Sequence, residues 1–308
     1  MSDQEAEVPG PEIVAVPPPP PWEPITPVPA SKPFPGWWAS IGLLVAIQFL
    51  ANLVGFIFLA PGIVSDVMAH GTLTRTLPLA AVGIVANSIA FGLVTWFAWR
   101  ASKLTAAEAF PLRRVSGGAW FTAALLMGGT VVLAEFVSSG MMRLWPPPDF
   151  VRDLFLQLVG DDAPVVVSII FLVIVAPITE EFFFRGVLQK GLTRRYGRKA
   201  GVIGSGLLFG LIHLIPWQVV PAALLGLVFA WWTDRTGSLW PALVAHAVNN
   251  GMSYYLSRSQ SGRDVLEPGP IDPVALAIGA GLLLAGLALS PRLLRPTEPE
   301  TVGERSFT

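Results

Sequence analysis

The stretch APITEEFFFRG, residues 176–186, places two adjacent carboxylates and a guanidinium inside an apolar run that extends from about Val165 to Leu188. A run of this length is long enough to cross a bilayer as a helix. Each ionisable group at membrane depth costs about 2.5–3.5 kcal/mol on the insertion scale, so such groups are seldom retained without a use. We therefore interpret this segment as a transmembrane helix that carries functional groups.

Helical spacing separates the two carboxylates of this stretch. Glu181 and Arg185 are four residues apart and share a helix face, whereas Glu180 points about 100° away from them. The spacing therefore predicts that Arg185 neutralises Glu181 and that Glu180 is left free for chemistry.

The composition of the whole chain indicates an integral membrane protein. Its 308 residues are 53% hydrophobic and only 13% charged, whereas soluble domains carry roughly 25% charged residues. The absence of cysteine excludes a thiolate nucleophile and a cysteine-based zinc site. A net charge of −1 gives no argument for nucleic-acid binding. The predicted partners are therefore the lipid bilayer and a membrane-associated protein or peptide substrate.

Eight apolar spans predict an all-α fold, a polytopic bundle of about eight transmembrane helices. The chain is expected to divide into a disordered proline-rich tail at 1–36, a transmembrane domain at 37–291 with its motif core at 164–256, and a short tail at 292–308. The acidic N-terminus has no basic n-region, so we expect the first span to act as an uncleaved anchor. The spans are 37–60, 77–99, 118–141, 164–188, 200–215, 219–233, 239–256 and 273–289.

Lysine and arginine in the connections predict the orientation. With the N-terminus inside, 14 of these residues fall on the cytoplasmic side and 5 outside, and Arg185 in the membrane completes the 20. Cytoplasmic loops carry the excess of positive charge, so both termini are predicted to be cytoplasmic. The acidic pair Asp161-Asp162 is then predicted to lie outside.

Two of the three histidines lie within apolar spans. A lone buried histidine is usually structural, but here His213, His246, two glutamates, Arg185 and an asparagine pair occupy spans within 71 residues. Polar groups in a membrane satisfy one another most cheaply by converging. His246 and Asn250 are four apart and share a helix face, with Asn249 as the alternative partner. The pattern predicts one shared polar site.

Depth in the membrane gives one misfit. At about 1.5 Å per residue, Glu180 and His246 lie roughly 10–15 Å from the cytoplasmic ends of their predicted spans. His213 lies deeper, at about 20 Å. Pro177 and Pro216 can kink or end the helices and account for the difference.

The predicted cluster suits two kinds of hydrolysis. A desolvated carboxylate and an imidazole can deprotonate water, while a second imidazole with an amide stabilises an oxyanion. The set Glu180, His213 and His246 could instead ligate a catalytic metal such as zinc. The other common protease signatures are missing, because the chain has no HExxH, no GxSG and no GxGD motif.

Three motifs in order carry a family resemblance. Glu180-Glu181-x-x-x-Arg185, Phe209-x-x-x-His213 and His246-x-x-x-Asn250 resemble the CAAX protease and bacteriocin-processing (CPBP) family of intramembrane proteases. That family includes the type II CAAX prenyl endopeptidases. Pro177 and Phe184-Arg185-Gly186 also look like the family's usual surroundings, and the resemblance covers roughly 164–256.

The resemblance implies an eight-helix membrane enzyme, found in the bacterial plasma membrane, with a pocket open to the cytoplasm. It implies that Glu180 and His213 activate water, that His246 and Asn250 stabilise the oxyanion, and that Glu181 and Arg185 hold the pocket together. Both a metal-dependent and a metal-free mechanism are compatible with the resemblance, so the cofactor is left open.

Two other functional classes were weighed. A non-catalytic bacteriocin-immunity or scaffold protein could keep the same fold and bind a partner. A proton-coupled transporter could use glutamate and histidine as a relay, but the sequence shows no inverted repeat and its polar groups are confined to the second half. We favour the endopeptidase hypothesis.

Overall fold

The computed structural model describes residues 32–71, 78–160, 163–259 and 272–293. The chain divides after Lys32, and all the elements below belong to the unit Pro33–Thr308. Every regular element in the described ranges is a helix, which confirms the predicted all-α class. Most of the predicted N-terminal tail, the C-terminal tail from residue 294 and the pair Asp161-Asp162 lie outside the described residues.

Ten helices are present in the described ranges, and one of them, α6, changes its hydrogen-bonding pattern along its length. They are α1 Trp37–His70, α2 Leu79–Ser102, α3 Ala106–Ala109, α4 Gly117–Leu144, α5 Asp149–Val159, α6 Val165–Tyr196, α7 Arg198–Leu211, α8 Pro216–Thr236, α9 Trp240–Ser259 and α10 Pro273–Leu293.

Six of these helices are long and apolar enough to cross a membrane: α1, α2, α4, α6, α8 and α10. The other two predicted spans are also helical. However, α7 has 14 residues, a length of about 21 Å, and α9 carries the polar residues His246, Asn249 and Asn250. The protein is thus an integral membrane protein by its apolar helices, and the count of about eight spans stays a prediction.

The surface of the bundle is apolar where a soluble protein would be polar. Large hydrophobic side chains such as Trp38, Phe49, Phe56 and Trp96 are more than half exposed. Exposed apolar area on this scale needs an apolar solvent. These side chains therefore face the acyl chains of the bilayer.

Helix α6 contains two π-helical segments, Ile170–Val175 and Phe182–Leu188, on either side of the α-helical turn Ala176–Glu181. Segments of this kind are rare and occur frequently at functional sites. The irregularity expected at Pro177 is therefore a π segment, because the backbone hydrogen bonds change from the i−4 to the i−5 pattern just before the proline. The helix continues to Tyr196, eight residues beyond the predicted end of the span at Leu188.

Helices α7 and α8 form a close hairpin. Two glycines of α7, Gly206 and Gly210, face α8 so closely that a Cβ on Gly206 would lie 2.7 Å from the backbone nitrogen of Leu227, and one on Gly210 would overlap the carbonyl oxygen of Val219. This is the close approach that small residues four apart permit in membranes. It brings Phe209 and Phe229 into contact, with ring centroids 6.1 Å apart.

Candidate active site

The first contact of the site follows from the proline in α6. In the π segment, the Ala176 N–H bonds the Phe171 carbonyl, five residues back. The next bond of that pattern would run from residue 177 to the Leu172 carbonyl, but proline has no N–H. The side-chain amide of Asn250 in α9 donates to this carbonyl instead, with Nδ2 at 2.9 Å from the oxygen. The proline thus creates the acceptor that joins α6 to α9.

Glu181 and Arg185 form a fully buried ion pair. Arg185 Nη1 lies 3.0 Å from Glu181 Oε1, and both side chains are 0% exposed. The pairing that the spacing allows is therefore present. Arg185 Nη2 also donates to the Gly226 carbonyl of α8 at 2.9 Å, and its guanidinium carbon lies 4.5 Å from the centre of the Phe209 ring. The charge is enclosed by one carboxylate, one carbonyl and aromatic faces.

His246 is held in place by the same carboxylate. Its Nδ1 lies 2.9 Å from Glu181 Oε1, and its ring stacks on Phe229 with centroids 5.3 Å apart. Glu181 Oε1 accepts from Arg185 and also accepts here, so His246 Nδ1 carries the hydrogen. The other nitrogen, Nε2, then carries a lone pair. In this tautomer, neutral His246 accepts at Nε2 and does not donate there.

Glu180 faces that lone pair. Its Oε2 lies 4.0 Å from His246 Nε2, and the side chain is only 13% exposed. This oxygen is buried and has no hydrogen-bond partner among the residues that the structure describes. A separation of 4.0 Å is too long for a direct hydrogen bond, but it is short enough for both atoms to bind one water molecule. Glu180 is therefore the uncommitted carboxylate of the site.

His213 lies beyond the end of α7, in the turn before Pro216. Its Nδ1 donates to the Phe209 carbonyl at 2.9 Å, so its Nε2 also carries the lone pair. The rings of His213 and His246 both contact Phe209, at centroid distances of 5.2 and 5.4 Å. Phe209 thus connects the two histidines, but the described contacts do not bring His213 itself to Glu180.

The depth misfit of His213 has a simple cause. Glu181 lies 16 residues before Gly197, which joins α6 to α7, and His213 lies 16 residues after it. The two helices run back along each other, since the rings of Phe184 and Phe209 are 5.2 Å apart. Both side chains are therefore at a similar depth. The predicted misfit arose because the span of Glu180 was ended at Leu188, eight residues too early.

Asn250 and Asn249 bond each other, through Asn249 Nδ2 and Asn250 Oδ1 at 3.2 Å. With Nδ2 on the Leu172 carbonyl, the described bonds anchor the Asn250 amide to α6 and to its neighbour. His246 and Asn250 lie one turn apart on α9, but the described hydrogen bonds do not join their side chains.

Two polar residues at the site were not predicted. Gln189 of α6 donates to the Ala230 carbonyl at 2.8 Å, one turn beyond the bond from Arg185 to Gly226. Gln48 of α1 donates to the Ile212 carbonyl, next to His213. A signal existed for both: Gln48 is a polar residue within the first span, and Gln189 follows Arg185 at the helical spacing of four.

The metal hypothesis can be tested against the donor set. Across the described ranges, no group of three or more His, Asp or Glu side chains is close enough together to hold a metal ion. Glu180 and His246 face each other at 4.0 Å, whereas the described contacts of His213 are with Phe209. The bond from His213 Nδ1 to the Phe209 carbonyl leaves Nε2 free, as in a metal-bound histidine, so the metal-bound alternative stays a prediction.

Comparison with known proteins gives a family match over the region of the site. Residues 162–252 match the family model described as type II CAAX prenyl endopeptidase Rce1-like. The matched region is therefore similar to the CAAX protease family, which confirms the predicted resemblance. It includes all six predicted site residues, from Glu180 to Asn250. No curated protein and no solved structure matches the chain.

Proposed function

We propose that this protein is an intramembrane endopeptidase of the CAAX protease type, in which Glu180 activates water to hydrolyse a peptide bond. The observation that carries this proposal is the position of Glu180 Oε2. It is buried, has no hydrogen-bond partner in the described part of the chain, and faces the unprotonated Nε2 of His246 at 4.0 Å. A structural carboxylate would be paired, as Glu181 is.

The two acceptors define how a water molecule is oriented. Glu180 Oε2 and His246 Nε2 each accept one of its hydrogens, so a lone pair of the water oxygen is directed away from both. Glu180 then takes a proton as the water oxygen bonds the carbonyl carbon, and the electron pair of the C=O bond moves to its oxygen. Glu180 returns that proton to the amide nitrogen as the C–N bond breaks.

The remaining site residues support this step. The amide of Asn250 is fixed by the Leu172 carbonyl, and its second N–H is assigned to the oxyanion, where a dry site strengthens the bond. The resemblance assigns His213 to water activation with Glu180, and its Nε2 is unprotonated because Nδ1 donates to the Phe209 carbonyl, although the described contacts leave the two side chains apart. Glu181 and Arg185 hold His246 in its tautomer.

The proposed substrate is a membrane-associated protein or peptide. The matched family model describes prenyl endopeptidases, and a prenyl group anchors a peptide at the bilayer surface. We propose cleavage near such an anchored C-terminus, reached from the predicted cytoplasmic side, in a plasma membrane with both termini of the enzyme in the cytoplasm.

The test is cleavage by the purified protein in liposomes, with a substrate panel that includes farnesylated CAAX peptides. Glu180→Gln should lower the rate at least a hundredfold because general-base catalysis contributes about 10²–10⁴-fold. A chelator should leave the wild-type rate unchanged, since the proposed step uses no metal. Loss of cleavage on chelation, restored by added zinc, would contradict the metal-free step.

His246→Asn tests whether the acceptor at Nε2 of His246 positions the water molecule. Its amide can still donate to Glu181, as Nδ1 does, but it offers no acceptor at the position of Nε2. We expect wild-type thermal stability with loss of cleavage. Full retention of cleavage by this variant, or by Glu180→Gln, would refute the assigned chemistry and favour a binding or immunity role.

A further inference from the structure

A second polar pocket lies at the predicted cytoplasmic end of the bundle, away from the glutamates. It has a volume of about 410 Å³ and is lined by four cationic side chains, Lys103, Arg113, Lys190 and Arg194, together with Glu108. Lys103 and Arg113 belong to the connection between α2 and α4. Lys190 and Arg194 lie one turn apart in the last part of α6. The proposed hydrolysis uses none of these residues.

The positive charge of this pocket is not neutralised by the described part of the chain. None of the four cations lies within 4.0 Å of a carboxylate there. Glu108 is already engaged, because the backbone N–H and the hydroxyl of Thr105 both donate to its Oε2 at 2.8 Å. These bonds lower the pKa of Glu108 below its ordinary value. Glu108 is thus the one carboxylate in the described lining of this pocket, against four cations, and the nearby Asp234, which also attracts Lys190, is paired with Arg198.

Like charges gathered around one concavity repel one another and are stabilised by a multivalent anion. Two guanidinium groups and two ammonium groups are the donors that recognise phosphate oxygens. The depth of the pocket also fits, because phosphate headgroups lie at the level where transmembrane helices such as α2 and α6 end.

We propose that this pocket binds a phosphate group, carried either by the headgroup of an anionic lipid or by a soluble phosphate monoester. Arg113 and Lys190 supply the contacts that matter most, since Arg194 already donates to the Ser102 carbonyl at 3.2 Å. The bound phosphate joins the connection between α2 and α4 to the end of α6.

That connection reaches the reaction centre. Phe110 stacks on Phe182, the residue directly after Glu181, with ring centroids 5.1 Å apart. A Cβ on Gly186 would lie 2.7 Å from the Phe110 ring, so the two elements touch without space between them. A phosphate that holds Arg113 and Lys190 together therefore also holds Phe110 against the segment that carries the glutamates.

The test measures binding rather than cleavage and so does not depend on the proposed function. The full-length protein is placed in phosphatidylcholine nanodiscs, and energy transfer from its tryptophans to dansyl-labelled phosphatidylglycerol is titrated. In a second arm, inorganic phosphate and glycerol phosphate are titrated calorimetrically without anionic lipid. Binding in the first arm alone assigns the lipid headgroup, and binding in the second assigns a soluble phosphate.

The decisive comparison is between two double variants of equal charge. Arg113→Gln with Lys190→Gln removes two pocket cations, and Arg114→Gln with Lys199→Gln removes two exposed cations that do not line the pocket. Each direct charge-assisted contact to a phosphate oxygen contributes about tenfold or more to affinity, so the pocket variant should lose roughly 100-fold. The surface variant should change less than about threefold.

Three results would overturn the proposal. The first is an equal loss in both double variants, which would mean that only the general surface charge matters. The second is wild-type protein that binds neither the lipid nor the soluble phosphate. A third variant, Arg113→Lys with Lys190→Arg, keeps the charge and should bind like the wild type. Weak binding by this variant, with an unchanged melting temperature, would also contradict a phosphate pocket.

Discussion

At the scale of single residues, the centre of the structure is the guanidinium of Arg185. It is completely buried at membrane depth, where an unpaired charge would be prohibitive. Glu181, the Gly226 carbonyl and the faces of Phe184, Phe209 and Phe229 enclose it. Glu181 in turn fixes His246. The pair therefore links the stability of the bundle to the orientation of the site.

Removal of this one cation should be severe. Arg185→Met leaves Glu181 buried without its counter-charge, and breaking a buried pair in this way costs about 3–5 kcal/mol. The measurement is equilibrium unfolding in mixed micelles. The double variant with Glu181→Gln should recover part of the loss, because no uncompensated charge is left.

The exposed pair Arg198–Asp234 serves as the control for Arg185. Its nitrogen and oxygen are 2.7 Å apart, but the arginine side chain is 65% exposed. Arg198→Gln should cost less than about 1 kcal/mol. Equal losses for Arg185→Met and Arg198→Gln would contradict the role given to burial.

At the scale of elements, the two π segments of α6 determine how it meets its neighbours. They widen the ladder on each side of Glu180 and Glu181, and the first one leaves the Leu172 carbonyl to Asn250 because Pro177 cannot donate. The contact between α6 and α9 is therefore a consequence of one missing backbone N–H.

A double-mutant cycle tests this account. Asn250→Ala should destabilise the protein by about 0.6–1.7 kcal/mol, the range for hydrogen bonds between membrane helices. The same substitution should cost less in a Pro177→Ala background, because alanine supplies an N–H to the Leu172 carbonyl. Equilibrium unfolding of the wild type, the two single variants and the double variant gives the coupling energy. A coupling energy near zero would contradict this explanation.

The seam between α7 and α8 supports a second prediction at this scale. Gly210→Ala places a methyl group against the Val219 carbonyl, and overpacking of this kind costs about 1–3 kcal/mol. Gly92→Ala in α2 is the matched control, since its Cβ would meet nothing within 4 Å. That control should be neutral or stabilise by up to about 1 kcal/mol. Comparable melting temperatures for the two variants would contradict the close approach.

Sequence patterns anticipate contacts within a helix better than contacts between helices. The bond between Glu181 and Arg185 depends on local spacing, and it is present. The bonds from His246 to Glu181 and from Asn250 to Leu172 depend on how α6 and α9 are rotated about their axes. The π segments change this rotation, and the order of apolar residues in the sequence does not reveal them. The predicted helix ends were also inaccurate. The segment Gln189–Tyr196 is polar but helical, so the end of the apolar run at Leu188 is not the end of the helix.

At the scale of the whole molecule, contacts between helix ends show which connections lie at the same end of the bundle. Ser116 at the start of α4 donates to the Leu293 carbonyl at the end of α10, and Trp37 at the start of α1 stacks on Tyr196 at the end of α6. Arg194 near the end of α6 donates to the Ser102 carbonyl at the end of α2, which places the basic connections after α2 and α6 at one end of the bundle. The excess of lysine and arginine predicts that this end is cytoplasmic.

The absence of cysteine makes this orientation testable. Single cysteines at Lys199, at the start of α7, and at Leu144, at the end of α4, are exposed positions at opposite ends of the bundle. A membrane-impermeant maleimide added to intact cells should label Leu144→Cys, and label Lys199→Cys only after the membrane is opened. The reverse pattern would invert the predicted topology.

The two bonds that α6 makes to α8 also affect how this fold is seen in sequence comparisons. Arg185 and Gln189 donate to the main-chain carbonyls of Gly226 and Ala230, and every amino acid supplies such a carbonyl. Gly226 is constrained for a different reason, because a Cβ there would lie 2.7 Å from the Gly206 carbonyl oxygen. Because covariation reports pairs whose side chains depend on each other, these two bonds between α6 and α8 should leave little trace in evolutionary statistics.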